Sequence, residues 1–131
     1  MKGFVDNIEE LTTGNKEFRR VVYTGQYIQL VLMSLKKGEE IGEEVHVDRD
    51  QFFRIEKGKG VVVIDGERYK VRSDDAVVVP AGARHNVINT GEKSLKLYTL
   101  YGPPEHADQT VHETPAEAQQ QEEHFDGTTT E

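Results

Sequence analysis

Four side chains in this sequence are of metal-binding types, and their spacing lets them meet. Glu44 and His46 stand two residues apart, so on a strand they point to the same face. Gln51 follows shortly and heads a strand-like run to Lys57. A chain reversal between the two segments brings Gln51 toward the pair. His85 stands far downstream, just after Pro80-Ala81-Gly82. A carboxylate, two imidazoles and an amide oxygen make a donor set for one divalent ion. Nitrogen donors beside a carboxylate favour Mn, Fe, Co, Ni, Cu or Zn over Ca or Mg. Two His and one carboxylate also match the facial triad of non-haem iron sites. Coordination positions left open for water or substrate would permit Lewis-acid chemistry. Singly, each residue has an ordinary explanation: a solvated Glu, a hydrogen-bonded structural His, a sheet-surface amide. Their joint spacing is what points to a metal.

The elements that must position these residues are strands. Gly38, Glu44-x-His46, Gln51 and Gly58 resemble the first signature of the cupin superfamily, in which a Gly precedes a His-x-His pair, a Glu and a second Gly. Asp74, Pro80-Ala81-Gly82, His85 and Asn89 resemble its second signature, Gly, Pro-x-Gly, His and Asn. Glu44 stands where the family has its first His, Gln51 where it has Glu, and Asp74 where it has Gly. The resemblance implies an all-β antiparallel cupin β-barrel, a jelly roll, with one divalent transition metal held by Glu44, His46, Gln51 and His85. It also implies a homodimer. Cupins that linearise unsaturated uronates carry Gln at the third ligand position too. Gln in place of Glu makes the site less negative by one charge, which should weaken metal binding and leave the ion more electrophilic.

Along the chain, residues 1–16 read as a lead-in segment and a turn. Phe18 to Tyr23 is strand-like. Tyr27 to Leu35 is apolar on both faces, as a central strand is. Val61 to Ile64 and Glu67 to Val71 flank Asp65-Gly66, a hairpin turn whose two positions need positive φ. Ala76 to Val79 reads as a short buried strand. Arg84 to Asn89 and Leu95 to Tyr101 follow, joined by a turn. Six to eight strands are expected, with no helical period before residue 113. Strand alternation puts Phe53 and Ile55 inside with Gln51, and Arg54 and Glu56 on the opposite face. Asp48 reads as a loop residue, Asn89 and Asp74 as turn residues, and Gly82 as a position a side chain would obstruct.

Beyond Pro103-Pro104 the pattern is polar. Residues 105–112 read as an exposed segment. The other reading folds them over the barrel mouth, where His106 is the catalytic acid or base with Tyr101, or Tyr98, as helper. Thr114-Pro115-Ala116-Glu117 reads as a capping box opening a short helix to about Gln121. The expected division is a barrel over 1–112 and a helix with an acidic tail over 113–131. Residues 122–131, His124 among them, read as solvated and disordered, so their removal should not change stability.

The chain has 131 residues and net charge −8. Residues 113–131 hold 6 acids and no Lys or Arg, leaving 18 acids against 16 bases elsewhere. No basic patch is offered to nucleic acid or an anionic membrane. There is no Cys, so disulfides, thiolate ligands and Cys nucleophiles are excluded. No leader-like apolar segment opens the chain, and a cytoplasmic protein is expected. No Ser-His-Asp order or phosphate loop is present. Three classes stay open: a metal-dependent enzyme that isomerises or moves a proton on a sugar or other small polar substrate, a non-haem dioxygenase, and a non-catalytic small-ligand or sensor domain.

Overall fold

The computed structural model describes Met1 to Glu131. The strands are β1 (Arg19–Thr24), β2 (Gln29–Leu35), β3 (Glu44–Val45), β4 (Asp50–Lys57), β5 (Lys59–Ile64), β6 (Glu67–Arg72), β7 (Ala76–Val79), β8 (Arg84–Asn89), β9 (Leu95–Gly102) and β10 (Val111–His112). They form a six-stranded sheet, β10-β1-β2-β9-β4-β7, and a four-stranded sheet, β3-β8-β5-β6. Every pairing is antiparallel. The ten strands exceed the six to eight expected because two of them, β3 and β10, are only two residues long. No composition pattern marks so short a pairing.

Alternation builds the core. In β4, Gln51, Phe53 and Ile55 are buried, while Arg54 and Glu56 face the other way, where Arg54 pairs with Asp74 at 3.0 Å. In β9, Leu95, Leu97, Thr99 and Tyr101 are buried and Tyr98 lies on the outer face. Tyr98 therefore drops out as a helper inside the barrel. β2, apolar on both faces, sits between β1 and β9 as a central strand should. Fifteen buried residues from both sheets make one core. At roughly 1.5–3 kcal/mol per large apolar side chain, this burial is what closes the two sheets on one another.

Turns match their chemistry. Asp65 and Gly66 have φ 47° and 85°, both positive as the hairpin demands. Asp74 has φ 76°, which explains why a Gly serves at that position of the signature. Asn89 donates to the carbonyls of Leu35 and Lys93 and accepts from the Gly91 amide.

Four expectations need correction. Residues 8–14 form a helix, α1 (Ile8–Gly14), capped by the Asn7 side chain accepting from the Glu10 amide, with Glu9 and Glu10 in its first turn. It is too short to show a period. β7 is an edge strand, with only Val79 buried and Val78 65% exposed. Its apolar run lacks a covering layer. A Cβ on Gly82 would meet nothing within 4 Å; the position has φ 89° instead, so backbone conformation selects the glycine, not crowding. Lastly, residues 122–131 lie against the barrel. The Phe125 amide donates to the Glu105 carbonyl and the Thr130 amide to the Thr24 carbonyl, each at 2.9 Å. The Glu131 carboxylate accepts from the Lys2 and Gly3 amides and from the Tyr23 hydroxyl. These acids are spent on hydrogen bonds across the chain, which composition does not reveal.

The capping box forms at α2 (Pro115–Gln120), where Thr114 accepts from the Glu117 amide. No helix is long and apolar enough to cross a membrane.

Candidate metal centre

The register of two short strands brings distant residues together. Glu44 in β3 lies directly opposite His85 in β8, so their side chains share a face. The chain leaves β3 at His46, whose carbonyl accepts from the Gly82 amide at 2.8 Å. That bond ties the Glu44-x-His46 segment to the Pro80-Ala81-Gly82 turn. Gln51 comes from the other sheet, opposite Tyr101 in β9. One nitrogen or oxygen each of Glu44, His46 and His85 lies within 4.8 Å of the others, and Gln51 Oε1 is 3.1 Å from His85 Nε2.

The hydrogen bonds decide which way the lone pairs point. The Thr99 hydroxyl donates to the Phe52 carbonyl at 2.8 Å, so its oxygen accepts from Gln51 Nε2 at 3.0 Å. Gln51 therefore presents Oε1 to the site. His85 Nδ1 is 3.1 Å from the Ala83 carbonyl, an acceptor only, so Nδ1 carries the hydrogen and Nε2 a lone pair. Two acceptors, Gln51 Oε1 and His85 Nε2, then face each other at 3.1 Å. With the ring neutral such a contact is repulsive unless a cation sits beside both; the alternative is a second proton on Nε2, donated to Gln51.

His46 is held by carboxylates on both sides. Nδ1 is 3.3 Å from Glu105 Oε2 and Nε2 is 2.9 Å from Glu44 Oε2. The second contact lacks hydrogen-bond geometry, and Nε2 is a buried nitrogen without a partner. Burial alone would lower the His46 pKa; the two carboxylates Glu105 and Glu44 against the ring outweigh it and raise it to about 9, so a metal binding at Nε2 would displace a proton held there by Glu44. Glu44 and Glu105 both sit below the ordinary carboxylate value, because contact with His46 overrides their burial. The residues fit a metal: an orphaned imidazole nitrogen, a second imidazole lone pair, a carboxylate and an amide oxygen share one small volume.

Glu105 was not visible as a site residue in the sequence. It is in ion-pair contact with Arg49 Nη1 at 2.9 Å and His46 Nδ1 at 3.3 Å, flanking the ring as outer partners of metal-binding His do. Its only signal was position, just after the last long strand. Asp48 is an exposed loop residue paired with Arg49.

Residues 105–112 are not an exposed segment. His106 is 8% and His112 2% exposed. His106 Nδ1 lies 2.8 Å from Glu123 Oε1, and Nε2 lies 3.3 Å from the Tyr101 hydroxyl. Glu123 accepts from the Ala107 amide too. Burial holds the Tyr101 phenol well above its ordinary pKa, so Tyr101 is a donor, and His106 Nε2 its acceptor. The segment folds inward because the tail supplies it with a carboxylate. His124 is solvated, 81% exposed at its side chain.

A cavity of about 870 Å³ opens beside these groups, a size that suits a small molecule. Glu44, His46, Glu105, His106, α2 and residues 122–124 all line it. Gln51 and His85 are buried at 3% and 4% exposure.

A family model described as the cupin domain matches residues 31–101. The chain belongs to the cupin family. It is 50% identical over 123 residues to an uncharacterised Bacillus subtilis protein, YrkC, covering 89% of this chain and 66% of YrkC. A crystal structure of BH2720 from Bacillus halodurans superposes with a TM-score of 0.90 at 45% identity, covering 92% of this chain and 96% of that one. Quercetin 2,3-dioxygenase of Bacillus subtilis is 33% identical over 84 residues, 63% of this chain and 25% of the enzyme. The chain thus spans just under two thirds of YrkC and a quarter of the dioxygenase.

Proposed function

We propose that this cupin is a divalent-metal-dependent enzyme that moves a proton on a small polar substrate, such as a sugar or sugar acid, in an isomerisation. One observation carries the reading: lone pairs of His85 and Gln51 face each other at 3.1 Å next to the orphaned nitrogen of His46 and the Glu44 carboxylate. A bound Mn, Fe, Co, Ni, Cu or Zn ion would supply Lewis acidity toward a carbonyl or hydroxyl oxygen. Glu44, His46, Gln51 and His85 would hold it, and Glu105 would keep the His46 ring in place.

The proton is the work of His106. It lines the cavity, with Glu123 fixing Nδ1 and leaving Nε2 as the basic atom. The Tyr101 hydroxyl, kept protonated by burial, lies 3.3 Å from that nitrogen and positions the ring; Nε2 would take the substrate's proton, the hydroxyl contact yielding, and the same nitrogen would return it. A homodimer and a cytoplasmic setting belong to the same proposal; exposed Val78 on the β7 edge supports the former.

Similarity to quercetin 2,3-dioxygenase favours a second reading, oxygenation of a small aromatic or enediol. Metal analysis of protein purified without tag or added metal, followed by oxygen uptake and solvent-deuterium incorporation, separates the two. We expect about one divalent ion per chain, deuterium entering a hydroxy-carbonyl substrate, and no oxygen uptake with quercetin. Oxygen uptake without exchange replaces the first reading by the second. Absence of any bound divalent ion sinks both.

A further inference from the structure

Arg19 opens β1 with its side chain inward, on the face it shares with buried Val21. It is 6% exposed and lines the cavity together with Glu44, His46 and His106. Its guanidinium sits 5.3 Å over the Phe18 ring, and Nη1 lies 3.2 Å from His112 Nδ1 in the strand alongside. Nε has no partner at all.

No carboxylate pairs with Arg19; exposed Arg20, Arg68 and Arg72 lack one too, but Arg19 is the buried arginine. Arg49, Arg54 and Arg84 are all more exposed, at 18%, 35% and 65% of their side chains, yet each has a carboxylate at 2.9 to 3.0 Å. Burying a cation without a counter-ion is costly, and a guanidinium has several N–H donors to satisfy. Most carboxylates along the same cavity are engaged elsewhere: Glu44 with His46, Glu105 with Arg49 and His46, Glu123 with His106 and the Ala107 amide, Glu40 with Asn86. The fold places a buried, underused guanidinium at the cavity with no carboxylate in ion-pair contact; Glu44 and Glu123 feel its charge only from farther away.

We propose that Arg19 recognises an anionic group of the substrate, and that the substrate is a small monocarboxylate with a second oxygen that reaches the Glu44–His46 side of the cavity. The substrate class rests on the metal reading above; the guanidinium's role does not. A carboxylate suits one guanidinium, accepting two parallel N–H bonds. A phosphate dianion fits less well, because Glu44, Glu105 and Glu123 already make this cavity negative. His112 holds the fork from behind: burial first, then the Arg19 charge, keeps its pKa low, so its ring accepts rather than competes.

The probes are 3-hydroxybutyrate, its neutral amide and methyl phosphate, titrated into the full chain with and without stoichiometric zinc. Affinity is read by calorimetry and by the Arg19 Nε–H signal in proton–nitrogen spectra. We expect the acid to bind the wild type at least about tenfold more tightly than the amide, and Arg19→Gln to remove that preference, the loss of a charge-assisted contact. Arg19→Lys, which keeps the charge but not the fork, should retain part of it. Should Arg19→Gln fail to fold, movement of the wild-type Nε–H signal with the acid but not the amide carries the same information. Equal binding of acid and amide, an unchanged preference in Arg19→Gln, no binding of the acid to the wild type, or tighter binding of methyl phosphate overturns the proposal. A preference that persists in protein that takes up no zinc leaves Arg19 in its role and removes the metal.

Discussion

Two layers of the site, an inner wall of donors on the strands and an outer wall at the cavity, are built differently. The inner wall carries Glu44, His85 and Gln51 on β3, β8 and β4, where backbone ladders fix each side chain in register. The outer wall carries Glu105, His106 and Glu123 on segments outside the main sheets, held by hydrogen bonds between side chains and by the returning tail. A ladder cannot shift one side chain without shifting the strand. A side-chain clasp can be lost piecemeal. The inner wall is thus suited to holding a small ion, and the outer wall to adapting around a substrate.

The sharpest break between the walls is expected in metal content. His85→Ala removes an inner donor, and bound metal measured by elemental analysis should fall to background. Glu105→Ala removes only the outer support of His46, and metal affinity should weaken by about 10- to 100-fold, the usual cost of such a partner. If the two variants bind metal equally well, the division between walls is wrong.

Ending the chain after Gln121 should leave metal content unchanged but lower the melting temperature by roughly 5–10 °C. That shift corresponds to two or three net hydrogen bonds of about 1 kcal/mol each in a domain of this size. An unchanged melting temperature would mean that residues 122–131 do not pack on the barrel.

The smallest effect is that of pH on the clasp. Burial alone would raise the Glu123 pKa, but bonds from His106 and Ala107 outweigh it and hold it below the ordinary 4.5. A lowered carboxylate pKa stabilises the folded form above the unfolded value and ceases to do so as pH falls through the folded one. The Ala107 amide signal should therefore be constant above about pH 5 and move only below pH 4.5. Movement nearer neutrality would show that another group governs the clasp.

Much of the inner wall was legible because its rules are local. Glu44-x-His46 needs only strand alternation; Gln51, Phe53 and Ile55 share a face for the same reason; Asp65-Gly66 names its own turn. Arg19 was less legible, although its parity with Val21 put a charge on a buried face, which is the informative kind of exception. Glu105 and Glu123 looked like any surface acid. β3 and α1 were too short for a period to register.

The sequence by itself determined the β architecture and the turns, since each depends on residues within one strand or one turn of each other, and it offered Glu44, His46, Gln51 and His85 as a candidate set. Tertiary structure alone decided that Glu44 stands opposite His85, that the tail returns to Glu105 and His106, and that Arg19 is buried without a carboxylate. Those facts depend on contacts between segments far apart in the chain, and periodicity carries no information about which distant partner closes a barrel or fills its mouth.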